Sequence, residues 1–122
     1  MLHFHASIHG PSGTAPLTVS FDAALDTLAQ LSRLFIEPDG SFVWRGAAED
    51  GSDWQLDGNL IDRGPTLDRV ELAGQCPSER LDELLRALGW PAEKLTFQLP
   101  RLGVFLTEEA FRRQAATSAG AG

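Results

Sequence analysis

Two stretches of the chain read almost as one motif: Asp39-Gly40-Ser41-Phe42-Val43-Trp44-Arg45-Gly46 and, eighteen residues on, Asp57-Gly58-Asn59-Leu60-Ile61-Asp62-Arg63-Gly64. Each is Asp-Gly, four residues, then Arg-Gly. Asp-Gly accommodates the positive φ angles of tight hairpin turns, and the aromatic, β-branched and aliphatic residues between suit a pleated, half-buried surface. The stretch from Asp39 to Gly64 is therefore expected to form the centre of an antiparallel sheet. In the second copy Gly58 falls inside Asp53 to Arg63, where Trp54, Leu56 and Leu60 share one parity and Gln55, Asp57, Asn59 and Arg63 the other. One long strand bulged at Gly58 is expected there, since a second hairpin would leave flanking strands too short to help.

The neighbours extend this pattern. Leu34 to Glu37, Pro38-Asp39-Gly40 and Phe42 to Arg45 read as a short hairpin, Ala47 to Ser52 as an acidic loop, and Gly64-Pro65 as a strand end before a further strand, Leu67 to Ala73. Upstream, Leu2, Phe4, Ala6 and Ile8 alternate with His3, His5, Ser7 and His9, the signature of a half-buried strand. Gly10 to Pro16 is a loop by composition. A helix is expected from the N-cap Ser20 to about Leu34, because Phe21, Ala24, Leu25, Leu28, Leu31 and Phe35 recur at three- and four-residue spacing, with Arg33 near its end.

Downstream, Ser78 is the expected N-cap of a second helix carrying Leu81, Leu84, Leu85 and Leu88 on one stripe, closed by Gly89 and Pro91, with Asp82 and Arg86 as an i,i+4 pair. Strands follow at Leu95 to Leu99 and Leu102 to Leu106. Thr107 caps a last helix to about Ala115, whose stripe is thin, mainly Ala110 and Phe111. Two amphipathic helices cannot cover both faces of so wide a sheet. The expected fold class is α+β, a two-layer sandwich with a mainly antiparallel sheet of five or six strands, two main helices on one face and a short C-terminal helix. Residues 1–115 are expected to be a single domain and residues 116–122 a disordered tail.

At 122 residues with 43% hydrophobic and 22% charged content, such a chain can bury one core without a metal or disulfide. The net charge of −7 argues against nucleic acid as a partner, because no broad positive field is available for phosphates. No apolar run approaches the length that spans a bilayer, and no signal-peptide pattern opens the chain, so no membrane partner and a cytoplasmic location are expected. The cations are arginines apart from Lys94, a usage that points to a GC-rich bacterial genome. Cys76 is the one cysteine and has no intramolecular disulfide partner. It is expected to be structural.

Motifs that would define a reaction fail individually. Gly10-Pro11-Ser12-Gly13-Thr14 lacks the lysine of a phosphate loop, and Ser12 is not in a Gly-x-Ser-x-Gly elbow. Glu49-Asp50-Gly51-Ser52-Asp53 lacks the spaced ligands of a calcium loop and reads as a solvated turn. What remains is a surface. Strand parity gathers His3, His5, His9, Arg45, Gln55, Asp57, Arg63, Arg69 and Glu71 on the sheet face opposite the core. That face, or an exposed edge strand, is expected to meet a protein partner or a second copy of the chain, making a non-enzymatic binding or assembly module.

The alternative is a small metal- or anion-binding enzyme. His3 and His5 lie two apart on one strand face, about 6 to 7 Å between Cα atoms, close enough to share a zinc ion if Glu71 supplies a third ligand. His9 stands about 13 Å beyond His5 along an extended strand. Arg63 or Arg69 would hold an anion. The leading reading needs no cofactor.

Overall fold

The computed structural model describes residues 1–121. The elements in chain order are β1 (Leu2–His9), α1 (Phe21–Leu28), β2 (Leu34–Ile36), β3 (Ser41–Ala47), β4 (Asp53–Arg63), β5 (Thr66–Cys76), α2 (Ser78–Ala87), β6 (Thr96–Leu99), β7 (Val104–Leu106) and α3 (Glu108–Ala121). This is an α+β chain with one antiparallel sheet of seven strands, against the five or six expected, in the order β2-β3-β4-β5-β1-β6-β7. The first strand is inserted between β5 and β6, so the sheet cannot be completed until both ends of the chain are in place.

The Asp39–Gly64 stretch does form the hairpin system, but its glycines serve two different ends. The β2–β3 turn is Pro38-Asp39-Gly40: Glu37 N donates to Ser41 O at 2.8 Å, Gly40 N donates to Glu37 O at 2.9 Å, and Gly40 sits at φ 96°. The β3–β4 turn repeats this geometry at Glu49-Asp50-Gly51, with Ala48 N to Ser52 O at 2.8 Å, Gly51 N to Ala48 O at 2.9 Å and Gly51 at φ 89°. Both are three-residue loops with a left-handed glycine. The matching turn unit is therefore Asp-Gly-Ser, at residues 39–41 and 50–52, and Asp57-Gly58 is no turn at all.

In each turn the aspartate clamps the serine two residues on. Asp39 Oδ1 accepts from Ser41 N at 3.0 Å and Ser41 Oγ at 2.7 Å; Asp50 Oδ1 accepts from Ser52 N at 2.9 Å and Ser52 Oγ at 2.6 Å. These bonds hold both carboxyls below the usual carboxylate range, led by the Ser41 backbone N–H for Asp39 and by the Ser52 hydroxyl for Asp50. A folded pKa below the unfolded one means that the clamps stabilise the fold above the ordinary carboxylate range and lose that contribution as pH falls through the folded value.

β4 is one continuous strand, as expected, but it carries no bulge at Gly58. Gly58 pairs regularly with Phe42 on one side and Leu72 on the other, and the register shifts later, between Ile61 and Asp62. Gly58 is instead the seat of a ring: a Cβ there would lie 2.1 Å from Phe42 Cζ. Gly46 does the same for Trp54, whose Cζ2 would be 2.7 Å from an added Cβ. The two strands exchange rings and glycines reciprocally.

The inward side chains of the sheet, among them Phe42, Trp44, Trp54, Leu56, Leu60, Val70, Leu72, Ala6, Ile8 and Phe97, form one buried cluster with Ala24 and Leu28 of α1, Leu81, Leu84 and Leu85 of α2, and Phe111 and Ala115 of α3. Trp44 and Trp54 meet edge to face at 5.2 Å. Phe111 stacks on Phe97 at 4.5 Å and 11° and meets Phe4 edge-on at 5.1 Å and 76°. The last helix is thus anchored through the core and is not the loosely held element its thin stripe implied.

Three local expectations need correction. α1 begins at its Ser20 cap, where Ser20 Oγ accepts from Ala23 N at 3.1 Å, but it ends at Leu28, and Arg33 takes a left-handed φ of 66° that turns the chain into β2. Phe35 consequently lies exposed on a strand instead of on a helical stripe. Ser78 is the first residue of α2 and not its cap; its Oγ accepts from Arg112 Nη1 at 2.8 Å. Asp82 does not pair with Arg86 but with Arg112 Nη2, at 2.6 Å, and Arg112 also bonds Glu108 and lies 5.6 Å over the Trp90 ring. One arginine of α3 therefore locks it to α2. Thr107 caps α3 as expected, accepting from Ala110 N at 3.2 Å, and α3 is assigned over Glu108–Ala121; residue 122 of the expected tail lies outside the described residues.

Three substitutions test this structure by their effect on stability. Gly58→Ala is expected to cost about 1–3 kcal/mol through overpacking against Phe42, and Gly51→Ala, with open space but a left-handed backbone, about 1–2 kcal/mol, both read from urea unfolding midpoints. Phe111→Ala is expected to cost about 3–5 kcal/mol, because it removes a fully buried ring; a loss below about 1 kcal/mol would show that α3 is not anchored through the core.

Candidate functional site

Register places the outer face without ambiguity. Directly opposed positions share a face, so Arg45, Gln55, Gln75 and His3 form one row across β3, β4, β5 and β1; Val43, Asp57, Ala73 and His5 form the next; Asn59, Glu71, Ser7 and Gln98 a third. Within this surface His3, His5, Arg45, Gln55, Asp57 and Arg63 are exposed, and Arg69 and Glu71 are half-buried. The anticipated residues do share one face, but not one pocket. His5, Asp57 and Glu71 border a shallow depression of about 200 Å³ over Ala73. His3 and His5 border a separate hollow of about 300 Å³ with Phe4, Leu99 and Phe111.

His9 departs from the wet-face picture. It is only 5% exposed, with Nε2 3.0 Å from Gln98 Oε1 and its ring 5.8 Å from that of Phe105. The exposed end of the face is closed over at this corner.

The arginines of the far corner are also committed. The register shift between Ile61 and Asp62 leaves Asp68 with no cross-strand partner, and its carboxylate, 7% exposed, serves two cations: Arg63 Nη2 at 2.9 Å and Arg69 Nη1 at 2.8 Å. Arg69 Nε also reaches Glu71 Oε2 at 3.3 Å. The Asp68 hydrogen bond, partly opposed by burial and helped by Glu71, raises the Arg69 pKa and keeps its charge fixed. Arg63 and Arg69 thus each have an acidic partner within the chain. Asp68 was the residue missed by parity reasoning, because a bulge breaks the two-residue period at that point.

Among the described residues, no three of His, Cys, Asp or Glu gather in a group that could hold a metal ion. His3, His5 and Glu71 are therefore not brought together as a three-ligand set, and Glu71 already accepts from Arg69. Zinc has no prepared site among them. Gln55 Nε2 donates to Asp57 Oδ1 at 3.0 Å, another bond internal to the face.

Cys76 is buried at the end of β5. Burial pushes its thiol up to about 12, against the opposing pull of the Arg112 charge, so it is protonated throughout the neutral range. The face holds no activated nucleophile from this residue.

No family model matches the chain, and no curated protein or solved structure matches it.

Cys76 supplies a direct check on the packing beneath that surface. The folded protein is expected to resist thiol reagents at pH 8 and to react stoichiometrically once unfolded. Because the folded thiol pKa lies above the ordinary 9.0, stability should also decline as pH rises from 9 towards 12, where the unfolded chain loses its proton first.

Proposed function

We propose that this chain is a non-enzymatic binding or assembly module whose outer sheet face seats a protein partner, a second copy of the chain being the first candidate. In this reading the three helices complete a two-layer sandwich, residues 1–115 form its single domain, and it works in the cytoplasm. The observation that carries the proposal is the composition of the outer face: Phe35, 66% exposed, stands at its β2 side and Phe105, 41% exposed, at its β7 side, with His3, His5, Arg45 and Asp57 exposed between them. Large exposed rings framing a polar field resemble the mixture of protein interfaces.

The face is favoured over edge addition because both edge strands, β2 and β7, have only three residues and offer little ladder to extend. Both charge signs occur on the face, so two copies related by a two-fold axis could set Arg45 of one opposite Asp57 of the other. The net charge of −7 argues against a polyanionic partner, and no helix is long and apolar enough to cross a membrane.

Light scattering coupled to size exclusion tests the reading. The expected result is a dimer mass at high micromolar concentration that falls to monomer in Phe35→Asp and Phe105→Asp, with unchanged far-UV circular dichroism. A wild type that stays monomeric at that concentration removes the second copy as partner, and a dimer indifferent to both substitutions removes the face.

A further inference from the structure

We propose that Arg33 and Arg45 form a binding site for a small dianionic oxyanion, a dicarboxylate or a phosphate monoester. Beyond the β2–β3 pair Leu34↔Trp44, Arg45 N donates to Arg33 O at 3.4 Å, so the ladder continues by one step and sets the two arginines opposite each other. Like charges directly opposed across strands are destabilising. Neither guanidinium is relieved: the ion pairs among the described residues use Arg63, Arg69, Arg80 and Arg112. This in a chain with 17 acidic side chains against 10 lysines and arginines.

The backbone adds a second cost. Arg33 is the single non-glycine residue with positive φ among those described, at 66°, and a side-chain-bearing residue in that region carries strain that cores do not retain without cause. The strain is held from beneath, where Trp44 donates its indole N–H to Ser32 O at 3.0 Å. Trp54, packed on Gly46, completes a rigid floor. The backbone beneath the two arginines is thus held, and their exposed guanidinium groups stand over it without an acidic partner among the described residues.

Arg33 and Arg45 both border two adjoining hollows, of about 670 and 430 Å³, that also share Gly46 and Trp54. Gln55 and Gln75 stand beside them in the smaller hollow. These volumes suit a small molecule. Glu49, Asp50, Asp53 and Glu79 also border the hollows, yet none reaches either guanidinium within ion-pair distance. These carboxylates lower the local positive potential, so the site is expected to favour a compact anion that both guanidinium groups reach at once over an extended polyanion.

The site shares Arg45 with the outer sheet face and adds Arg33 from the segment between α1 and β2, so the two readings are told apart by Arg33, which the docking proposal does not use. Isothermal titration of the full chain with succinate and with inorganic phosphate, each against a chloride background, is the test. At least one of the two is expected to bind saturably with a dissociation constant below about 1 mM, and which one responds separates a dicarboxylate from a phosphate ligand. Arg33→Gly and Arg45→Gln should each weaken binding at least about tenfold, whereas Arg113→Gln, an exposed arginine of α3, should leave it unchanged. Arg33→Gly should also melt higher than the wild type, because glycine relieves the left-handed backbone while the charge repulsion disappears. Absence of saturable binding by both anions, wild-type affinity in Arg33→Gly, or an equal loss in Arg113→Gln would each overturn the site. A monomeric chain that still binds the anion through Arg33 separates failure of the face from failure of this site.

Discussion

The structure depends on rings seated over backbone. Phe42 of β3 lies over Gly58 of β4, and Trp54 of β4 lies over Gly46 of β3, with added Cβ atoms excluded at 2.1 and 2.7 Å. Gly74 of β5 serves a different close approach, of backbone to backbone, since a Cβ there would lie 2.2 Å from Gln55 O of β4. Alternating large and small partners across neighbouring strands lets bulky side chains lie down without opening the ladder, and it pins register as firmly as any turn. A slip of one residue would move Phe42, Trp44, Trp54 and Leu56 to solvent together. The helices then close over an inner face whose contours are already set, and Phe111 fills the space between Phe97 and Phe4.

The same register governs the outer face. Regular pairing from Gln55 to Ile61 lines up the polar rows, and its interruption beside Asp62 frees Asp68 to neutralise Arg63 and Arg69. One irregularity thus gives two of the three arginines expected on that face an acidic partner within the chain. Arg45 is left, joined by Arg33 from outside the face. Charge on this surface is therefore polarised: an ion-paired cluster by the β4–β5 turn and, beside the start of β2, a pair of arginines without ion-pair partners among the described residues. The difference arises from geometry, not from composition.

Much of the fold was legible in local chemistry. Strict alternation located β1 at Leu2–His9, Ser20 and Thr107 marked helix starts, and Gly64-Pro65 ended β4. The failures have physical causes. The periodic run through Leu31 and Phe35 overstated α1 because a left-handed Arg33, held by the Trp44 bond to Ser32, overrides helical spacing. Ser78 and Asp82 looked like partners within α2, yet Arg112 from a distant helix takes both. The Glu49–Asp53 run was read as a plain acidic loop, although Asp50-Gly51-Ser52 reproduces the Asp39-Gly40-Ser41 clamp bond for bond. On the candidate surface, alternation correctly assigned a shared face to His3, His5, Arg45, Gln55 and Asp57, but period two has no way to express a bulge, a buried His9 or the charge partner of an arginine.

The sequence by itself determined the short-range features, because turns, caps and alternating strands depend on φ preferences and side-chain chemistry within a few residues. The α+β class and the antiparallel sheet followed from these. Only the tertiary structure decided that β1 enters between β5 and β6, that the two inner glycines of the Asp-Gly and Arg-Gly repeat are ring seats while Gly40 and Gly64 are turns, and that Arg33 and Arg45 stand opposed without an acid between them. Those outcomes rest on contacts between residues far apart in the chain, whose energies depend on which strands become neighbours and not on any residue's own preference.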